Sequence, residues 1–177
     1  KAATWRLMFL SAGEENLTAI MARAGKKTNA GQEIRLADID SDAGMNMGAF
    51  ETPQGYTPAE LSVKLKDHAA KYHGTAGREW IEKLVAMRGK IPQNLKEQID
   101  RFTGEFAPKE ASGQVIRVAR RFALVAVAGE LATCWGLTGW KEREAITAAV
   151  KCFHAWLEGF GGTGNREERA ILEQVRG

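Results

Sequence analysis

The sequence contains few cysteines and few prolines: two cysteines and four prolines among 177 residues. Cys134 and Cys152 form neither a CxxC pair nor a disulfide framework, which favours a reducing, cytoplasmic location. Both lie within apolar helical patterns that lack a cationic setting able to activate a thiol, so we expect both to be core residues. The scarcity of proline, together with 44% hydrophobic and 27% charged residues, argues against disorder and for a folded core.

Long apolar runs and dense clusters of positive charge are also missing. The longest apolar run, around Phe122–Ala132, includes Gly129 and Glu130 and is far too short to cross a bilayer. The first residues do not have the layout of a signal peptide. A formal net charge of +3 permits contact with nucleic acid, but a dedicated DNA-binding domain would have a denser basic cluster. We therefore expect a cytoplasmic protein without a membrane partner.

The patterns that would indicate a metal site or a catalytic nucleophile are incomplete. His68 and His73 lie on different faces of a helix, and no cysteine or carboxylate completes a ligand set around them or around His154. Residues 38–44, DIDSDAG, alternate carboxylates as a calcium loop does, but the glycine comes one place late and Ala49 stands where the closing glutamate belongs. No GxSxG motif is present. We expect no metal site, and we interpret residues 38–44 as the polar end of a strand.

The first part of the chain has the pattern of an α/β fold. Residues 5–10, WRLMFL, predict a buried strand, residues 17–24 predict a helix, and residues 33–39, EIRLADI, predict a second strand. A buried strand needs neighbours on both sides, and these two segments are the only good strand candidates. We therefore expect the chain to begin in the middle of a larger fold.

From residue 57 onward the pattern is helical. Thr57 as N-cap, Pro58 at the first helical position and Glu60 at the third form a capping box. Further helices are predicted within residues 75–90, 94–106, 113–135 and 141–160, and the apolar segment 113–135 is expected to be the central one. The predicted fold class is therefore mostly α, with a short α/β remnant followed by a helical bundle.

A glycine-rich segment, GFGGTGNREE at residues 159–168, invites comparison with a phosphate-binding loop. A P-loop follows a strand and ends in GK[ST], whereas this segment follows an amphipathic helix and contains no lysine. A joint between two helices explains it better: Gly159 or Gly161 closes one helix. Asn165 then caps the next helix, with Glu168 as its capping-box partner.

Four arginines are the strongest candidates for chemistry. Arg35 lies at the start of the second predicted strand, and Arg117, Arg120 and Arg121 lie on the apolar segment 113–135. Arg117 and Arg121 are four residues apart and share a helix face, which Gln114 joins. This edge has two interpretations: a solvated stripe on an otherwise buried helix, or a site where guanidinium groups bind phosphate oxygens.

Four segments, WRLMFLSAGE, AGQEIRLADI, RVARRFALVAVAGELATCWGLTGW and FGGTGNREERAILEQVR, occur in this order along nearly the whole chain. Together they resemble a domain family found in prophage and mobile-element primase–helicase proteins, including the self-loading helicases of staphylococcal cassette elements. That family is described as a P-loop ATPase of the AAA+ type, similar to MCM-like replicative helicases. The resemblance implies that this chain is the C-terminal half of such an ATPase.

The resemblance also implies a division of the chain and a set of roles. Residues 1–56 would be the C-terminal part of a P-loop core, and residues 57–177 a helical lid. By element order, Ser11 would lie at the tip of the sensor-1 strand, and Arg35 would be an arginine finger that reaches a neighbouring subunit's nucleotide. Arg117 would be the sensor-2 arginine, with Arg121 as second choice. The full-length protein would bind ATP, Mg²⁺ and DNA and assemble into a hexameric ring.

One feature of that family is missing, because GxxxxGK[ST] occurs nowhere in the sequence. Without this lysine a chain lacks the usual cradle for the β- and γ-phosphates, so we expect residues 1–177 alone neither to bind ATP tightly nor to hydrolyse it. Two alternatives to a helicase ATPase fragment remain open. One is a non-catalytic helical module that binds DNA or protein, and the other is an inactivated derivative that keeps the fold for partner binding.

Overall fold

The computed structural model describes residues 7–26 and 30–164, and the regular secondary structure of these residues is helical. This confirms the predicted mostly α class. The elements are α1 (Leu17–Arg23), α2 (Ala30–Glu33), α3 (Pro58–Lys71), α4 (Thr75–Ala86), α5 (Ile91–Phe106), α6 (Gly113–Cys134) and α7 (Glu144–Phe160).

The chain divides into two compact units, Lys1–Asp38 and Ile39–Gly177. The first unit contains α1 and α2, and the second contains α3 to α7. The domain boundary predicted after residue 56 falls inside the second unit, and the division into ATPase core and lid stays a prediction. The described residues do not show the α/β remnant of a P-loop core that was predicted for residues 1–56.

The two predicted strands are wrong for the residues that the structure describes. Residues 7–10 are irregular, and their side chains are exposed, so they have neither the pairing nor the burial of a core strand. In the second segment α2 ends at Glu33, and the N–H groups of Arg35 and Leu36 both donate to the carbonyl of Gln32, at 3.0 and 3.2 Å. These are local helical-turn bonds, which leave the segment no ladder to another strand.

Residues 38–44 are also not a strand end, because Asp40 and Asp42 fold the backbone into turns. The Asp40 carboxylate accepts the N–H of Asp42 at 2.9 Å, and the Asp42 carboxylate accepts that of Gly44 at 2.6 Å. An aspartate that bonds the backbone two residues ahead forms an Asx turn. The alternating carboxylates therefore shape the loop that leads to α3.

Local capping explains where α3 begins. The Thr57 side chain accepts the N–H of Glu60 at 3.3 Å, while the Glu60 carboxylate accepts the N–H of Thr57 at 2.8 Å. This reciprocal pair, with Pro58 in the first turn, is the predicted capping box. The two bonds satisfy backbone donors that no helical carbonyl can reach.

The core lies between α5, α6 and α7. Phe102 of α5, Ala123 and Ala126 of α6 and Ala149 of α7 are its buried centre. Small residues on α6 and α7 bring the two backbones close together, and the larger side chains of α5 fill the third side. The predicted central helix, residues 113–135, is confirmed as α6.

Helices α6 and α7 run antiparallel along their full length. Near the connection between them, Gly129 lies against Ala145, and further along Phe122 and Phe153 have ring centroids 5.8 Å apart. At the far end the N–H of Ser112 donates to the carbonyl of Thr163 at 2.9 Å. The chain therefore returns to the start of α6 immediately after α7.

Helix α4 docks on the end of α6 through one aromatic pair, Trp80 and Trp135, whose ring centroids are 4.9 Å apart. Neither α3 nor α4 contains a buried residue. Within the described ranges, every helix is too short or too polar to span a bilayer.

Candidate functional site

The three arginines of α6 have three different environments. Arg117 is exposed, and its side chain forms no hydrogen bond or ion pair with another described residue. Arg120 is also exposed, but its Nη1 donates to Asp100 Oδ1 of α5 at 2.6 Å. Arg121 is half-buried. Of the three, Arg117 is the guanidinium group that is available to an external anion.

The periodicity of α6 explains these environments. Val115, Val118 and Ala119 are fully buried. Arg117 is rotated by about 100° from Val118 and by about 200° from Val115 around the helix axis, and its side chain is exposed. Arg117 therefore projects from a helix whose neighbouring positions are fixed in the core, which holds its backbone rigidly. Gln114, on the predicted shared face, is buried.

Asp100 of α5 holds Arg120 of α6 in an ion pair between the two helices. The hydrogen bond from Arg120 lowers the pKa of the Asp100 carboxyl below its ordinary value, and Lys96, 3.4 Å away on the same helix, lowers it further. The carboxylate is therefore charged throughout the physiological range and forms ion pairs with both cations. Because Arg120 already donates to this carboxylate, it has less capacity than Arg117 to bind another anion.

The other two predicted site residues, Ser11 and Arg35, lie in the first unit. Both are exposed; Ser11 is in an irregular segment, and Arg35 lies in a turn two residues after the end of α2. They lie in coil and turn instead of in the predicted strands. The positions near a nucleotide that were inferred from those strands are therefore not supported by this fold. Their roles as sensor 1 and arginine finger stay predictions.

The glycine-rich segment closes α7. The N–H of Gly161 donates to the Glu158 carbonyl and that of Gly162 to the Leu157 carbonyl, each at 3.1 Å. Gly161 has φ 88°, a left-handed conformation that strongly favours glycine, and the paired bonds form a Schellman motif. The predicted closing glycine is confirmed as Gly161, while the predicted cap at Asn165 and its partner Glu168 lie outside the described residues.

A cavity of about 540 Å³ lies beside α5 and was not predicted from the sequence. One wall is a stripe along α5, and the others are the C-terminal part of α6 and the segment that leads into α7. The apolar lining comes from Phe102, Phe106, Val127, Leu131 and Ile146. The polar and charged lining comes from Asn94, Gln98, Arg101, Glu105, Glu130, Thr133, Cys134, Glu142 and Arg143.

Glu130 fixes the wall between α6 and α7. Its carboxylate accepts the N–H of Arg143 at 2.9 Å and that of Ile146 at 3.2 Å, so a side chain of α6 caps the N-terminus of α7. A negative charge at this helix end also opposes the positive end of the helix dipole. Arg143 has a positive φ of 68° and lies 3.8 Å from Glu105 of α5.

The sequence did contain a signal for this region, because Gly129 and Glu130 interrupt the longest apolar run. A glutamate in the middle of an apolar segment needs a polar partner once the helix is packed. The pattern did not show that the partner would be the backbone of the next helix, which only the connection between α6 and α7 brings into reach.

The predicted burial of the cysteines is wrong for Cys134, which is exposed at the last position of α6, and Cys152 is half-buried. Cys134 lines the cavity and lies where α6 ends, beyond the buried residues of its earlier turns. His68, His73 and His154 are exposed. Among the described residues, no group of three or more histidine, cysteine, aspartate or glutamate side chains has the arrangement of a metal site.

Comparison of the chain with protein-family models, with curated proteins and with solved structures finds no match in any of the three. The helicase-family resemblance therefore stays a prediction, carried by the four sequence segments alone.

Proposed function

We propose that this chain is the C-terminal part of the ATPase of a prophage or mobile-element DNA helicase. In this proposal residues 57–177 form a helical lid, and the chain contributes arginines to ATP hydrolysis in a ring of subunits. The observation that carries it is Arg117: a guanidinium group without a described partner, on a helix fixed by Val115 and Val118. A rigidly placed arginine suits the charge that builds up on a phosphoryl group during transfer.

We assign the phosphate-binding role to Arg117 because the other arginines of α6 are less available to an external anion. Arg120 forms an ion pair with Asp100, and Arg121 is half-buried. The guanidinium plane offers several N–H donors to two phosphate oxygens at once, which a lysine does not. Arg117 would therefore act as the lid arginine that senses the γ-phosphate.

The remaining machinery would belong to the rest of the full-length protein. ATP and Mg²⁺ would be bound by a P-loop that this sequence lacks, and we assign none of the described carboxylates to the metal. Arg35 would act in trans on the nucleotide of the next subunit, and DNA would pass through the hexameric ring. Residues 1–177 alone would neither bind ATP tightly nor hydrolyse it.

The reading frame upstream of Lys1 gives the first test. The proposal requires a GxxxxGK[ST] motif within roughly one domain length before this residue. A full-length product without this motif would exclude the helicase ATPase and favour the inactivated derivative. ATP hydrolysis by purified residues 1–177 would contradict the part of the proposal that assigns ATP binding to a P-loop outside this sequence.

The second test is Arg35→Ala in the full-length protein. We expect ATP hydrolysis to fall by about 1,000-fold or more while nucleotide binding persists, as for loss of an arginine finger. Arg23→Ala is the matched control, because Arg23 is an exposed arginine of the same unit whose partner is Glu15 at 2.9 Å. Hydrolysis that survives Arg35→Ala would show that Arg35 is not the finger.

A non-catalytic protein-interaction module is the second candidate, and the surfaces of α3 and α4 favour it. These helices bury no residue, and they expose Val63, Leu65, Ile81 and Val85. Self-association of residues 1–177 that Val85→Lys abolishes, measured by sedimentation equilibrium, would support this module. Tight binding of single-stranded DNA with a steep salt dependence would instead support its DNA-binding form.

A further inference from the structure

The cavity beside α5 has the size and the apolar lining of a small-molecule site, and the proposed function makes no use of it. Its volume of about 540 Å³ lies within the range of roughly 300–1,000 Å³ that is typical of ligand pockets. Phe102, Phe106 and Ile146 belong to the apolar lining, in which Phe102 and Phe106 have ring centroids 4.9 Å apart. A lining of this kind favours contact with the apolar part of a ligand over contact with water.

Most of the charges around the cavity are already engaged. Glu130 accepts two backbone N–H groups of the α7 N-terminus, and Glu105 forms an ion pair with Arg143. Two charged groups of the lining remain, Arg101 from α5 and Glu142 from the segment that leads into α7. Neither side chain forms an ion pair or hydrogen bond with another described residue.

Arg101 belongs to a polar stripe on the α5 wall. Asn94, Gln98, Arg101 and Glu105 follow one another at intervals of three or four residues, which places them on the same helix face. Glu142 borders the cavity from the side of α7 and directly precedes Arg143. The lining therefore contains one unpaired cation from α5 and one unpaired anion from the segment that leads into α7, together with the apolar side chains.

We propose that this cavity binds a small zwitterion with an apolar body, of the size of an apolar dipeptide with free ends. The ligand carboxylate pairs with Arg101, its ammonium group pairs with Glu142, and its side chains pack on Phe102, Phe106 and Ile146. An arginine fork matches a carboxylate through two parallel hydrogen bonds. A ligand with a single charge leaves either Arg101 or Glu142 without a partner. This inference is independent of the proposed helicase function.

The test uses residues 1–177 and three probes that differ only at their ends. Phenylalanyl-leucine has both charges, its N-acetyl form lacks the ammonium group, and its C-terminal amide lacks the carboxylate. Calorimetric titration should show saturable binding of the free dipeptide and an affinity lower by about tenfold or more for each blocked form. In ¹⁵N NMR spectra the free dipeptide should shift the signals of Leu131 and Ile146.

Two variants assign each charge to its partner. In Arg101→Gln, amidation of the dipeptide should no longer reduce affinity, while acetylation still does. In Glu142→Gln the pattern should be the reverse, as a double-mutant cycle requires for two independent pairs. Arg88→Gln is the matched control, because Arg88 is exposed and lies outside the cavity lining, and it should bind all three probes as the unmodified chain does.

Three results would overturn the proposal: no saturation at millimolar dipeptide, blocked dipeptides that bind as tightly as the free one, or NMR shifts that leave Leu131 and Ile146 unchanged. Arg101 and Glu142 are exposed, so their glutamine variants should keep the fold, which far-UV circular dichroism checks. If a variant does not fold, the affinities of the three probes for the unmodified chain test the proposal without it.

Discussion

Gly129 allows α6 and α7 to approach each other beside their connection. A Cβ atom at this position would lie 2.5 Å from the Cβ of Ala145 and 3.5 Å from Cζ3 of Trp140. The first distance is far below van der Waals contact, and both atoms belong to packed helices, so relief requires a backbone shift. The absence of a side chain at Gly129 is thus part of the packing.

We predict that Gly129→Ala lowers the free energy of unfolding by about 1–3 kcal/mol, the usual cost of overpacking a core. Gly104→Ala is the matched control, because Gly104 is also inside a helix but has open space around its Cβ position. The control should be stabilising by about 0.4–1 kcal/mol, since it restricts only the unfolded chain. Urea unfolding measures both, and a Gly129→Ala protein as stable as the unmodified chain would rule out the close contact.

The cap at the N-terminus of α7 also depends on a single side chain, that of Glu130 in α6. We predict that Glu130→Ala lowers the free energy of unfolding by about 1–2 kcal/mol, because two backbone N–H groups lose their acceptor. Glu110→Ala, which removes an exposed carboxylate outside this contact, should change it by less than about 0.5 kcal/mol. Equal effects of the two substitutions would refute the capping role.

Single side chains also show why part of the site could not be predicted. Cys134 has the same apolar sequence surroundings as a core cysteine, but it lies at the helix end and faces a cavity. The pairing of Arg120 with Asp100 joins residues twenty positions apart on two helices. Periodicity assigns a residue to a face of its own helix, and it does not say which residue of another helix stands opposite.

Helices were predicted well where caps and periodicity agree. The capping box at Thr57 and the buried pattern of α6 are both confirmed, because each depends on interactions within a few residues of the same chain segment. The two strands were predicted from short apolar runs, whose periodicity does not distinguish a strand from other conformations. Residues 34–36 turn instead, and the N–H groups of Arg35 and Leu36 donate back to the carbonyl of Gln32.

The start of α3 should depend on pH. Hydrogen bonds from the N–H and the hydroxyl of Thr57 lower the pKa of Glu60 below its ordinary value. A carboxyl whose pKa is lower in the folded state stabilises that state above its unfolded pKa of about 4.3, and this contribution is lost as pH falls through the lower, folded value. We therefore predict that the first turn of α3 frays below about pH 4.

Amide hydrogen exchange at the first turn of α3, followed from pH 6 to pH 3, measures this fraying after correction for the intrinsic exchange rate. Glu60→Gln should remove the pH dependence in this turn, whereas Glu82→Gln, an exposed position of α4 without a described partner, should leave it unchanged. Carboxyl chemical shifts of Glu60 that titrate at or above the ordinary glutamate value would contradict the prediction.

The described part of the chain combines a packed three-helix core with segments that bury little. The core of α5, α6 and α7 holds the cavity and Arg117 in place, while α3 and α4 present apolar side chains to their surroundings. The helical class of this arrangement was predictable from composition and periodicity. The cavity was not, because it is formed where three helices and one connection meet, and no single segment contains a pattern for it.

ATP hydrolysis by the full-length protein with Arg117→Ala, compared with Arg120→Ala, tests the central claim most directly. Both substitutions remove an exposed arginine from α6, but only Arg120 has an ion-pair partner among the described residues, Asp100. If Arg117 is the lid arginine, Arg117→Ala lowers kcat by about 100-fold or more, and Arg120→Ala changes it little. If Arg117 belongs to a solvated stripe, Arg117→Ala hydrolyses ATP at the unmodified rate, and the claim is wrong.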